Sequence, residues 1–159
     1  MSPFGTAVAL ALALLVQTAL GRLAPGQVAI LDPFLLVVVY SGLTRGELHG
    51  MLAGTMAGWI QDIQFGGPVS GLSALTKLLL GFGVGAAGSR FLLVGPGPRL
   101  LVLVTASLAD ALLLERLAAM LGVPVAELTL HALLTRAAVN ALVGALLFHL
   151  LDKRLRTSA

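Results

Sequence analysis

Cysteine is absent from the 159 residues, which removes disulfide frameworks, thiolate catalysis and thiolate metal sites and leaves the redox compartment open. Charge is scarce as well. Only 11% of the chain is Asp, Glu, Lys or Arg, against 58% hydrophobic residues and a mean hydropathy of +1.01. No ordinary soluble domain has that balance, so the chain reads as an integral membrane protein. Aromatic residues are few, with a single tyrosine, Tyr40, and a single tryptophan, Trp59. Catalytic signatures are missing too: there is no Gly-x-Ser-x-Gly, no His-Glu-x-x-His and no phosphate-binding loop. His49, His131 and His149 all fall near the ends of apolar runs, where an interfacial histidine is the plainer reading than a metal ligand. The reading is therefore of a non-enzyme, with no cofactor and no metal. A formal charge of +3 and a pI near 10.2 do not point to nucleic acid, because the basic residues are scattered singly until the terminal "DKRLR".

What the chain has in abundance is apolar runs approaching the ~20 residues that a helix needs to cross a bilayer. They are unbroken, which excludes the alternating short segments of a membrane β-barrel. Six candidate spans follow, at about Phe4 to Leu20, Val28 to Leu43, Leu48 to Ile60, Ser70 to Leu93, Leu100 to Met120 and Leu130 to Leu151. The first has no Lys or Arg before it and is read as a retained span, not a cleaved signal peptide. In the second, "DPF" places Pro33 at a first helical turn. A bent hairpin made of segments two and three, giving five helices, is the competing count. The expected fold is an all-α compact bundle of about six transmembrane helices. It forms one transmembrane domain over residues 1–159, with a short basic tail at about 152–159.

With the N-terminus inside, Arg45, Arg90, Arg99, Lys153, Arg154 and Arg156 all fall on the cytoplasmic side, so the positive-inside rule puts both termini in the cytoplasm. The connecting loops are too short to hold a soluble domain. Any function must lie within the bilayer or on partners.

Lys77 sits about two turns into the fourth span, where a lysine is costly unless it faces the bundle interior, pairs with an acid or snorkels to the interface. On its own helix Ser73, Lys77, Gly81, Gly85 and Ser89 recur every four residues as a small or polar ridge of the kind that packs helices closely in lipid. Gly50, Gly54 and Gly58 make a second ridge, and Arg136, Asn140 and Gly144 a third. Asp110, near mid-depth in the fifth span, is the natural partner of Lys77 or of Arg136. Lys77, Asp110, Arg136 and Asn140 are thus candidates for an intramembrane polar network. The structural reading makes them internal glue; the functional one makes them a site for a solute or for a partner helix. Asp62, followed by Gly66, Gly67 and Pro68, reads as a turn, or else as an outward contact for a partner.

The stretches "DPFLLVVVYSGL", "GTMAGWIQDIQFGGPVSGLSALTKLLLGFGVG" and "VNALVGALLFHLLDKRLR" together resemble the rod shape-determining MreD family. The family pattern matches Pro33 before a short span, Gly54 and Gly58 in a Gly-rich span ending at Asp62, then Gly71 and Leu72 leading into the next helix. Asp110 and Asn140 also fit; Lys77 departs from the pattern, and no family role is carried onto it. The resemblance implies a fold similar to the S components of energy-coupling-factor transporters and a scaffold role in the bacterial elongasome, or Rod complex. It implies a place in the bacterial cytoplasmic membrane and a bitopic partner, MreC. Through MreC it links to RodA, a class B penicillin-binding protein and MreB, and so to peptidoglycan synthesis and rod shape. Gly54, Gly58, Asp62, Gly71, Leu72, Gly81 and Gly85 are then expected at helix-packing or partner-docking faces. The small-residue faces also allow a homodimer. The alternative is an S-component-like protein that binds a small solute such as a vitamin, with Lys77, Asp110 and Arg136 as cavity groups.

Overall fold

In a computed structural model the described residues are 3–23, 30–66, 69–90, 95–124 and 129–157. They form six helices: α1 Pro3–Leu23, α2 Pro33–Arg45, α3 Glu47–Phe65, α4 Leu72–Arg90, α5 Pro96–Met120 and α6 Leu130–Thr157. Three are long and apolar enough to cross a membrane, over Phe4–Leu23, Leu72–Arg90 and Leu130–Leu151. The architecture is that of an all-helical membrane bundle.

Segments two and three are separate helices. Gly46 alone joins them, at φ +82°, a left-handed conformation that suits glycine and lets the chain reverse within one residue. α2 starts at Pro33 because Asp32 caps it: the carboxylate accepts from the Leu35 N–H at 3.0 Å. One expected boundary shifts. "GPGPR" is not a loop beyond Gly95, since Pro96 opens α5 as a first-turn proline. α6 runs as far as Thr157, so the described part of the basic tail is helical. The expected span ends Val28 and Leu93, and the turn residues Gly67 and Pro68, lie outside the described residues.

α3 and α4 run antiparallel in close contact, and the glycines set the distance. A Cβ at Gly50 would strike the Gly81 carbonyl, one at Gly54 the Lys77 carbonyl, one at Gly58 the Ala74 backbone, and one at Gly85 the Glu47 backbone. In lipid, where apolar surface gives no net drive between helices, such backbone approach supplies the packing energy. The most deeply buried helix is α2: Phe34, Leu35, Val38 and Val39 are fully enclosed, and Tyr40 meets the Phe148 ring at 5.0 Å. α1 lies on the outside, exposing Phe4, Leu12, Leu15 and Leu23 as a membrane helix facing lipid does.

Candidate functional site

Lys77 lies one turn before Gly81 on α4. Its carbonyl meets Gly54 of α3, and its side chain reaches Asp32 at the start of α2 and Asp110 of α5. On α6 the same four-residue step brings Gly144 against Leu103 and Leu36, Asn140 against Ser107 and the start of α2, and Arg136 against Asp110. α6 therefore runs parallel to α2 and antiparallel to α5. Four charged side chains from four elements meet at one level.

Lys77 Nζ donates to Asp32 Oδ2 at 2.7 Å and to Asp110 Oδ1 at 3.1 Å. Arg136 Nη2 donates to Asp110 Oδ2 at 2.6 Å and lies 3.4 Å from Asp32 Oδ2. Each acid thus touches both cations, and the quartet sums to zero charge. The side chains of Lys77, Asp32 and Asp110 are at most 5% exposed and that of Arg136 is 14% exposed. Burying such ions is tolerable only where pairing and further hydrogen bonds offset lost hydration. The further bonds are there: the Leu35 N–H serves Asp32, whose own N–H donates to Asn140 Oδ1 at 2.9 Å.

Asn140, fully buried, uses both ends of its amide. Its Nδ2 donates to Ser107 Oγ at 3.1 Å and to the Ile30 carbonyl at 3.3 Å, so one side chain ties α6 to α5 and to the entry of α2. Asp62 closes a different gap. Its carboxylate accepts from the Gly71 N–H at 2.8 Å and the Ser73 N–H at 3.3 Å, capping the start of α4 from the end of α3. Gly71 takes φ +96°, a conformation that a residue with a side chain rarely adopts.

Beside the quartet is a partly open cavity of about 150 Å³. Its wall is completed by Gln17 of α1, Gln61 of α3, Ser73 and Thr76 of α4, and Leu114 of α5. Gln17 is 4% exposed, yet its Oε1 has no hydrogen-bond partner, and neither does Arg136 Nε. Among the described residues no group of three or more His, Asp or Glu could hold a metal ion.

The sequence pattern of the family described as rod shape-determining protein MreD matches residues 4–157. The chain belongs to the MreD family. No curated protein and no solved structure matches it. It is accordingly a multi-pass helical membrane protein of the cell-shape system, as an MreD-family member.

In this MreD-family chain Lys77, Asp110, Arg136 and Asn140 lie together at one site, and Asp110 partners Lys77 and Arg136 at once. Gly54, Gly58, Gly81 and Gly85 lie at the α3–α4 contact, covered by their own chain. Asp62 is 6% exposed, and its carboxylate accepts from the backbone N–H groups of residues 71 and 73, the turn option of the sequence reading. Leu72 is buried at the head of α4. Two participants are not apparent from the sequence reading: Asp32 and Gln17. Asp32 reads there as part of a helix start, although an acid beside an apolar run demands a partner as much as Lys77 does. For Gln17 the available signal is a lone amide in an otherwise apolar span.

Proposed function

We propose that the chain is a non-enzymatic scaffold of the bacterial elongasome that docks the transmembrane helix of MreC and thereby helps regulate peptidoglycan synthesis. It sits in the cytoplasmic membrane as one transmembrane domain with both termini in the cytoplasm, and its contacts with RodA, the class B penicillin-binding protein and MreB are made directly or through MreC. The observation that carries this reading is an apolar groove of about 410 Å³ between α1 and α6. Ala9 and Leu12 form one wall, Val143 and Leu147 the other, and Leu36 and Val37 of α2 the floor. A groove floored by the central helix of the bundle between two outer ones suits an apolar helix laid along it. In lipid that helix gains by close packing, not by escaping water. The glycine ridges are already used inside the chain, so the partner face is the groove.

Copurification with MreC in a mild detergent tests this. Ala9→Trp and Val143→Trp fill the groove from its two walls, and each should abolish the complex while leaving the thermal unfolding of the isolated protein unchanged. Capture of MreC by both variants as by the wild type would remove the groove from the mechanism. Capture of no wall-synthesis protein by the wild type, from native membranes, would remove the scaffold reading itself.

A further inference from the structure

The polar cavity is independent of the groove and is not explained by docking. All its lining residues lie toward the bundle end where α1, α3 and α5 finish and α2, α4 and α6 begin. Proteins do not leave buried polar atoms unpaired without consequence, since each costs the hydration it lost. Here two such atoms, Gln17 Oε1 and Arg136 Nε, belong to residues lining one cavity. One needs a donor and the other an acceptor.

We propose that this cavity is a binding site for one small, net-uncharged solute that presents a carbonyl-type acceptor to Arg136 and an N–H or O–H donor to Gln17, as a carboxamide does. Its charge follows from the quartet. Lys77 and Arg136 are already balanced by Asp32 and Asp110, so an added anion would meet two carboxylates and an added cation two basic groups, each without a free counter-ion. Its size follows from the volume, which admits a molecule of a few heavy atoms. Water has the same donor and acceptor character, and the experiment must separate the two.

The inference does not rest on partner docking and is tested on the isolated protein in lipid nanodiscs. The probes are lactamide, its anionic isostere lactate and the cationic analogue 1-amino-2-propanol, with thermal unfolding and saturation-transfer NMR as readouts. Lactamide should raise the unfolding temperature saturably, and the charged analogues should not. Gln17→Leu should weaken lactamide about tenfold, the scale of one buried hydrogen bond lost. Leu114→Trp, which fills the cavity from α5, should abolish binding and serves where Gln17→Leu does not fold. Three results would overturn the proposal. With no saturable effect of lactamide the cavity holds water alone; with unchanged affinity in both variants the ligand sits elsewhere; with tighter binding of lactate the site is one for anions.

Discussion

Removing Lys77 should unbalance the quartet in a way whose repair can be foretold. In the wild type two cations face two acids; in Lys77→Met one cation faces two acids, and the cluster carries one net negative charge. Arg136 is closer to Asp110, at 2.6 Å, than to Asp32, at 3.4 Å, so Asp32 is the acid left stranded, with the Leu35 N–H at 3.0 Å as its main support. Breaking a buried pair from one side costs about 3–5 kcal/mol, and that range is an upper estimate here because a chain unfolded within the membrane finds other partners. Asp32→Asn added to Lys77→Met restores neutrality, leaves the Arg136–Asp110 contact intact and keeps an amide oxygen to cap α2. At least half of the loss should return. Asp110→Asn in the same background leaves Arg136 only the longer contact to Asp32 and should rescue less. Reversible unfolding in mixed micelles, titrated with a denaturing detergent, gives the three differences directly. Lys77→Met within about 1 kcal/mol of the wild type would refute the pairing argument, since that is the range of an exposed ion pair. A double variant no more stable than the single would refute it too.

Asn140→Leu strands the Asp32 N–H, the Ile30 carbonyl and the Ser107 hydroxyl together, and should cost at least about 1–3 kcal/mol by the same unfolding titration, the expense of one buried polar group left unpaired. Gly81→Ala and Gly83→Ala form a matched pair on α4: the first drives a methyl into the Gly50 carbonyl and should lower stability by about 1–3 kcal/mol or prevent folding. The second meets nothing within 4 Å and should be neutral or stabilising by up to about 1 kcal/mol through helix propensity, as thermal unfolding will report. Asp62→Ala removes the cap on α4 and should cost about 1–2 kcal/mol, with faster hydrogen exchange at the Gly71 and Ser73 amides as its local signature.

Apolar run length gave the sequence reading its helices, and the four-residue repeats of glycine gave it the faces along which α3 and α4 meet. Lys77, Asp110, Arg136 and Asn140 stood out because ionisable or amide groups are costly at bilayer depth. Spacing along the chain does not carry the pairing. Which acid meets which cation depends on the register between helices, and that register is fixed by contacts such as Gly144 on Leu103 and Gly54 on the Lys77 carbonyl. Asp32 was obscured by its neighbour: "DP" is so familiar as a helix start that the capping role hides the ion pair made by the other carboxylate oxygen. Likewise the direction of Asp62 turns on a backbone reversal at Gly71, and spacing alone cannot tell a carboxylate facing its own loop from one facing out.

Polar quartet and apolar groove both draw on the same central helix. α2 lends Asp32 at its first turn to the charges, and Leu36 and Val37, one turn further on, to the groove floor. α1 has its Gln17 on the cavity and its Ala9, Leu12 and Val16 on the groove, so the two sites adjoin along one helix. A helix seated in the groove would therefore press on α1 and α2, elements that also line the polar cavity, while touching none of the four charges. Substitutions in the quartet should act on the stability of the bundle, and substitutions on the groove walls on the complex. Gln17 of α1 lines the cavity while Ala9, Leu12 and Val16 of the same helix line the groove. If cavity and groove are coupled in this way, linkage requires that saturating lactamide change MreC affinity by the same factor that bound MreC changes lactamide affinity.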